Sequence, residues 1–101
     1  LKDMTKQRYS VRDKVDIFPQ KGGWVFVRVP KKLSQDPQLN KKAERGLIPI
    51  RATVGQTSWD TSLLPMGDGT HFIALNAKVR KAEDIAVGEN VTVSFILRTY
   101  G

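Results

Sequence analysis

Few residues of this chain combine the type and the spacing that catalysis requires. His71 is its single histidine and cysteine is absent, so the sequence provides neither a cluster of histidine ligands nor a thiolate nucleophile. Asp60 and Asp68 would offer two carboxylates for acid–base chemistry, but nothing in their spacing brings them together, and turn or surface roles fit them better. We therefore expect a protein that is not an enzyme, with no catalytic residue, no metal site and no cofactor.

The segment Gly67-Asp68-Gly69 is rich in glycine but is not typical of a phosphate-binding loop. It lacks the lysine and the strand-to-helix setting of such loops. Its Asp68-Gly69 pair instead favours the positive backbone angles of a tight hairpin turn. His71, beside that turn, is predicted to be a surface or strand-end histidine. Asp68 and His71 are therefore candidates only for contact between this loop and a partner.

Positive charge is concentrated in the first half of the chain. Residues 1–51 contain 13 lysines and arginines against 5 acidic residues, whereas residues 52–101 contain 4 against 5. This excess favours a polyanionic partner, although a solvated basic face that keeps the domain soluble explains it equally simply. The candidate anion or nucleic-acid contacts flank two predicted helices: Lys31, Lys32, Lys41, Lys42 and Arg45 at the first, and Lys78, Arg80 and Lys81 at the second.

An aromatic and basic face is predicted on one strand, where Trp24, Phe26 and Arg28 alternate. Such a face can stack bases and neutralise phosphate, as in proteins that bind single-stranded nucleic acid. The alternative is that these rings fill one end of a small barrel under a helix. We favour the alternative, because so small a core has few other large side chains, and we assign Trp59 to the core for the same reason.

Six segments have the apolar–polar alternation of strands with one buried face: residues 9–18, 24–29, 48–54, 57–63, 70–75 and 91–97. The first two are expected to form a hairpin. Short helices are predicted at residues 30–46, with Pro37 in the first turn, and at residues 76–86, with Asn76 as the cap. Pro49 in the third strand suggests an edge, a first position or a bulge. The fold class is therefore mainly β.

The two halves of the chain repeat one pattern. Residues 27–33 and 73–79 both run from an apolar strand through Pro30 or Asn76 to a lysine and an aliphatic residue. Each unit continues through a short helix and a glycine, Gly46 or Gly88, into an alternating strand. Neither unit alone can bury its apolar face, so we expect two half-barrels packed into a single domain over residues 1–101, folded as a monomer.

The chain resembles the bacterial "domain of unknown function nineteen-oh-five" family. The resemblance is carried by residues 23–30, by the Leu-x-Pro-x-Gly-Asp-Gly motif at residues 63–69 with the segment from Gly55 before it, and by residues 79–81 and 87–89. It implies a six-stranded double-split β-barrel with short helices capping the barrel, similar to the swapped-hairpin fold of AbrB-type regulators but within one chain. It implies no activity.

The composition and the apolar runs indicate a compartment and a broad class of function. Absence of cysteine suits a reducing compartment, the apolar runs are too short to span a bilayer, and residues 1–4 lack the apolar stretch of a signal peptide, so we expect a cytoplasmic protein. The favoured function is a non-catalytic binding or interaction module with a protein or small-ligand partner. The alternative is nucleic-acid binding without sequence specificity through the basic surface, and an enzyme is the least supported class.

Overall fold

Alternating apolar side chains produce one strongly curved antiparallel sheet. The computed structural model describes residues 7–20, 22–41, 43 and 45–98. Within these ranges the elements are β1 (Tyr9–Lys14), β2 (Asp16–Ile17), β3 (Val25–Val29), α1 (Lys31–Ser34), α2 (Pro37–Asn40), β4 (Ile48–Val54), β5 (Thr57–Pro65), β6 (His71–Ala74), α3 (Ala77–Glu83) and β7 (Asn90–Leu97). The mainly β class is confirmed, with short helices between the strands.

The sheet has the order β1-β7-β4-β5-β6-β3-β2, and its two ends belong to one stretch of chain. β1 pairs with β7 and β2 pairs with β3, with Val15 between them, so the sheet nearly closes into a barrel. Across the remaining seam the Arg28 amide donates to a carboxylate oxygen of Asp13 at 2.8 Å. A side chain thus satisfies a backbone donor where the ladder is interrupted.

The predicted strand over residues 9–18 is two strands, which makes seven strands in the described residues rather than six. The Val15 amide donates to the Glu89 carbonyl and the Val15 carbonyl accepts from the Gly88 amide, both at 2.8 Å. These bonds hold Val15 against the turn before β7, so the chain leaves one ladder there and joins the other. The predicted hairpin therefore forms only between β2 and β3.

The strands that correspond in the two halves are antiparallel neighbours. β3 pairs with β6 from Phe26↔Ala74 to Val29↔His71, and β4 pairs with β7 from Ile50↔Leu97 to Thr53↔Ser94. Pro49 lies second in β4, an interior strand, so of its three predicted places the edge is wrong and the first position is the nearest to what is found. The ladder tolerates it because pairing with β7 begins at the next residue, while the Pro49 carbonyl accepts from the Arg98 amide at 3.0 Å.

The core fills the barrel with aliphatic side chains from every long strand. Its members include Val11, Val27, Ile48, Ile50, Leu63, Ile73, Val93 and Phe95. The Phe95 ring stacks on Tyr9 with centroids 5.2 Å apart, which fixes β1 against β7. The predicted apolar face of β7 is confirmed, because Val93 and Phe95 are buried and Val91 and Leu97 pack against the core.

The predicted helix at residues 30–46 is broken into α1 and α2. Pro37 disfavours a helical conformation at Asp36, whose side chain instead accepts from the Gln38 amide at 2.8 Å and caps α2. Leu39 is completely buried and anchors α2 on the core, as predicted. In α3 the Asn76 cap is confirmed by a 2.8 Å bond from the Val79 amide.

The inward face of α3 differs in part from its prediction. Val79 is buried, but Ala82, expected on the same side, is exposed. Glu83 is partly buried instead, because its carboxylate accepts from the Thr57 hydroxyl beside the β4–β5 turn. A polar contact between the helix and the barrel therefore takes the place that hydrophobic spacing assigned to alanine.

Candidate ligand-binding site

The predicted basic residues fall into two groups at opposite ends of the β3–β6 pair. Because these strands are antiparallel, α1 follows the end of β3 and α3 follows the end of β6 at the other end of the ladder. Four residues of extended chain, or about 13 Å, separate the two ends. Lys31, Lys32, Lys41 and Arg45 belong to the α1–α2 end, Lys78, Arg80 and Lys81 belong to α3, and Lys42 lies outside the described residues. The two groups therefore lie at opposite ends of this strand pair.

Asp68 lies exposed at the tip of the β5–β6 hairpin. The left-handed backbone falls on Gly67 (φ 98°) and Gly69 (φ 92°), not on Asp68 as the tight-turn prediction required. Asp68 accepts hydrogen bonds from the Thr70 hydroxyl and from the Thr70 amide, and these bonds hold the pKa of Asp68 below its usual value. Its carboxylate is thus engaged in shaping the hairpin.

His71 begins β6, which confirms the predicted strand-end position, but it is buried, so the surface alternative is wrong. Only 8% of the residue is exposed, because α1 packs over the start of β6. The His71 amide donates to the Ser34 hydroxyl at 3.1 Å, and that hydroxyl donates in turn to the Val29 carbonyl at 3.4 Å. The ring Nδ1 has no hydrogen-bond partner among the described residues, and burial lowers the pKa of His71.

This buried ring predicts a loss of stability in mild acid. Since folding lowers the pKa of His71, the unfolded chain takes up the proton first, and stability present above the unfolded pKa of 6.5 falls as the pH drops below it. Asp16 and Asp68, whose pKa values are lowered from 3.8, act only near pH 4 and below. Between about pH 7.5 and 5, the free energy of unfolding measured in urea should therefore decrease as the pH falls. His71→Gln should remove this decrease. Equal losses in both proteins would contradict this assignment.

The aromatic and basic face of β3 is used within the fold, except for Trp24. Phe26 is 1% exposed, lies on the face of β3 opposite Val25 and Val27, and stacks with Phe18 at a centroid distance of 3.9 Å. The Arg28 guanidinium lies 5.0 Å from the Phe26 ring and forms a 2.8 Å ion pair with Asp16. Burial of the ring is thus confirmed for Phe26, but the expected place inside one end of the barrel is not, because Phe26 packs against Phe18 and Phe72 outside the core cluster.

Trp24 behaves differently from Phe26, since 50% of it is exposed. Trp59, the other tryptophan, is partly buried and packs against the core, as predicted. Trp24 borders a cleft of about 310 Å³ between the start of β3 and the end of β6, lined by Gly22, Gly23, Trp24, Val25, Ala74, Leu75, Asn76 and Arg80. We call it the Trp24–Arg80 cleft.

Backbone bonds fix both walls of the Trp24–Arg80 cleft. The Leu75 amide donates to the Val25 carbonyl at 2.8 Å, and the Phe18 amide donates to the Trp24 carbonyl at 2.9 Å. Arg80 Nε donates to the Leu75 carbonyl at 3.0 Å, which ties the guanidinium to the same wall. The lining thus combines the ends of two paired strands and one residue of α3 with turn residues whose backbone is held by hydrogen bonds.

Arg80 is the single charged residue in the described part of the cleft lining. The two terminal guanidinium nitrogens form no ion pair and no hydrogen bond within the described ranges. The Asn76 carbonyl oxygen is engaged by the Val79 amide, so its amide nitrogen remains as a donor. The cleft thus presents hydrogen-bond donors and one positive charge above an apolar floor of Val25, Ala74 and Leu75.

Sequence reasoning named Trp24 and Arg80 separately but missed that they meet. Their juxtaposition depends on antiparallel pairing between β3 and β6, which places residue 25 beside residue 75. The internal repeat was the usable signal, because two equivalent strands related by a twofold axis pair antiparallel and bring the start of one to the end of the other.

Within the described ranges the structure has neither a metal-binding cluster nor a membrane-spanning helix. No cluster of three or more histidine, cysteine or acidic side chains has a geometry suited to a metal ion there. None of the helices described has the length and apolar character that a membrane span needs.

Comparison with known proteins places the chain in a family. Residues 14–95 match the family model described as "Domain of unknown function (DUF1905)", which confirms the family resemblance predicted from the motifs. A search of curated proteins gave no match. The matched segment contains the whole Trp24–Arg80 cleft. Since the match covers more than half of its residues, the chain belongs to the DUF1905 family.

Proposed function

We propose that this domain is a non-catalytic binding module that holds a small anionic ligand in the Trp24–Arg80 cleft. The observation that carries the proposal is the Arg80 guanidinium, which is fixed through Nε yet has no acidic partner among the described residues. A guanidinium held in this way presents its remaining N–H groups to a carboxylate or phosphate.

The lining also favours binding over turnover. Arg80 is the charged side chain in the described part of the lining, and a guanidinium is a group unsuited to proton transfer. A volume of about 310 Å³ lies at the lower end of the range for small-molecule sites. A formal net charge of +7 increases the local concentration of anions.

Nucleic-acid binding is the weaker candidate. A duplex partner needs many phosphate contacts on one continuous surface. The basic residues of α1–α2 and those of α3 lie at opposite ends of the β3–β6 ladder, which favours two separate small patches. Random duplex DNA is therefore included as a competing probe in the experiment that tests the proposal.

We expect Arg80→Ala to weaken binding of ribose 5-phosphate by at least about tenfold, because it removes a charge-assisted hydrogen bond. Lys78→Ala is the matched control, since it removes the same charge from the exposed surface of the same helix and should change affinity less than about twofold. Amide chemical shifts should move at residues 22–25 and 74–80 during the titration.

Equal weakening by both variants would reduce the effect to net charge and contradict the cleft assignment. If duplex DNA shifts only the amide signals of residues 31–41, and if replacing Lys31 and Lys32 together abolishes these shifts, the nucleic-acid alternative is supported instead. Arg80→Lys separates charge from shape, because it keeps the charge but loses the planar fork, and it should recover only part of the affinity.

We also propose that the barrel is of the double-split type similar to AbrB-type proteins, formed as a monomer in the bacterial cytoplasm. The antiparallel pairing of β3 with β6 and of β4 with β7 supports two halves related by a twofold axis. The absence of cysteine suits a reducing compartment. Sedimentation of the domain at the mass of a single chain would support the monomer, and an obligate dimer would contradict it.

A further inference from the structure

We infer that the ligand of the Trp24–Arg80 cleft is an aromatic anion, with a flat ring stacked on Trp24 and an attached phosphate or carboxylate on Arg80. The inference rests on the proposed function and adds the chemical class of the ligand. A nucleoside monophosphate has this chemistry and is the probe with which we test it.

Trp24 is more exposed than the other aromatic residues in the described ranges. Phe26 and Phe95 are 1% and 0% exposed, and Phe18 and Trp59 are partly buried, whereas half of Trp24 faces solvent. An exposed indole retains a large apolar face, and covering that face with a second flat ring is favourable through burial and stacking.

Hydrogen bonds hold the backbone around Trp24 in place. The Trp24 carbonyl accepts from Phe18, and the next residue is paired with Leu75 through its own carbonyl. Gly23 donates to the Gln20 carbonyl at 3.4 Å on the other side. Because both neighbours are fixed, binding costs little ordering of the backbone that carries the indole.

Small residues leave open space beside the Trp24 ring. Gly22 has a backbone conformation of φ 73°, and a side-chain carbon added there would meet nothing within 4 Å. Gly23 and Ala74 also contribute little bulk to the lining. Small residues on this side leave an open lip through which a planar group can reach the indole, while Ile17, 43% exposed and near Gly23, extends the apolar rim.

The polar groups of the cleft lining suit an anionic ligand. Arg80 supplies the positive charge, and the free amide nitrogen of Asn76 supplies one further donor. The described residues of the lining include no carboxylate that would repel a phosphate. Since Asn76 and Trp24 are the side-chain donors other than Arg80 among these residues, we expect recognition of a ring with an anionic group rather than of one particular base.

Fluorescence of Trp24 gives a direct test. Trp59→Phe leaves Trp24 as the single tryptophan of the chain, and adenosine monophosphate should quench its emission. We expect adenosine monophosphate to bind at least about tenfold more tightly than ribose 5-phosphate, because only the former carries a ring that stacks. Adenosine should bind more weakly than its monophosphate, because it lacks the anionic group.

Two variants separate this inference from the proposed function. Trp24→Ala should reduce the affinity for adenosine monophosphate much more than that for ribose 5-phosphate, whereas Arg80→Ala should weaken both ligands. Calorimetry and amide chemical shifts on the otherwise unaltered chain provide the same comparison without relying on Trp59→Phe.

Equal affinities for the two phosphates, or an equal effect of Trp24→Ala on both, would overturn the aromatic ligand and leave the anion-binding function intact. If neither phosphate shifts residues 22–25 and 74–80, both the inference and the proposed function are wrong.

Discussion

Phe26→Ala is expected to lower the free energy of unfolding by about 3 to 5 kcal/mol, the range for removing a buried aromatic ring. Phe26 is 1% exposed and contacts Phe18 and Phe72, with centroids 3.9 and 5.5 Å away. The substitution therefore opens a cavity and also removes the ring beneath the Arg28 guanidinium. Urea unfolding followed by circular dichroism measures the change.

Trp24→Ala is the matched control, since it removes an even larger ring two residues earlier, immediately before β3. It should cost less than about 1 kcal/mol, because the indole is half exposed and little burial is lost. Similar losses from the two substitutions would mean that Trp24 belongs to the packed structure, and would remove the basis for assigning it to a ligand.

Phe95→Ala is expected to cost about 3 to 5 kcal/mol as well, for a different reason. Phe95 lies inside the barrel, opposite Tyr9 of β1 and Ala52 of β4, and is completely buried. Ala52 is too small to move into the space, so the cavity persists and the stacking on Tyr9 is lost. The urea concentration at the midpoint should fall, while the dependence of the free energy of unfolding on urea concentration should not decrease. A decrease in that dependence would indicate a changed unfolded or native state.

Thr92→Ala provides the comparison for Phe95→Ala. Thr92 lies on the same strand and is exposed, so its substitution should change stability by no more than about 0.5 kcal/mol. A small loss at Phe95 would contradict the pairing of β7 between β1 and β4, because only that position surrounds the ring.

The strand content could be predicted most directly where a strand buries one side only. In β7 the alternation of Val91, Val93, Phe95 and Leu97 was sufficient, since a single period accounts for every buried position. The break at Val15 could not be found in this way. Val15 is as apolar as its neighbours, and its turn depends on bonds to Gly88 and Glu89, more than 70 residues away.

The candidate site was predictable only in parts. Arg80 was named for its charge and Trp24 for its ring, but local patterns contain no information on which strand ends meet. His71 shows the same limit, because its neighbours Asp68 and Gly69 suggested a surface turn. Its burial comes from α1, whose Ser34 holds the His71 amide from 37 positions away in the chain.

The ladder between β1 and β7 also constrains when the barrel can form. Its side-chain contacts join residues 80 and 86 positions apart, as in Arg12 with Thr92 and Arg8 with Ser94. During synthesis β1 leaves the ribosome early and must wait, with its edge unpaired, until β7 has been made. The β4–β5 hairpin can assemble meanwhile, since its pairs are local. Because closing so long a loop is slow, folding should take milliseconds to seconds, and a nascent chain that stops before β7 should be protease-sensitive and prone to strand exchange.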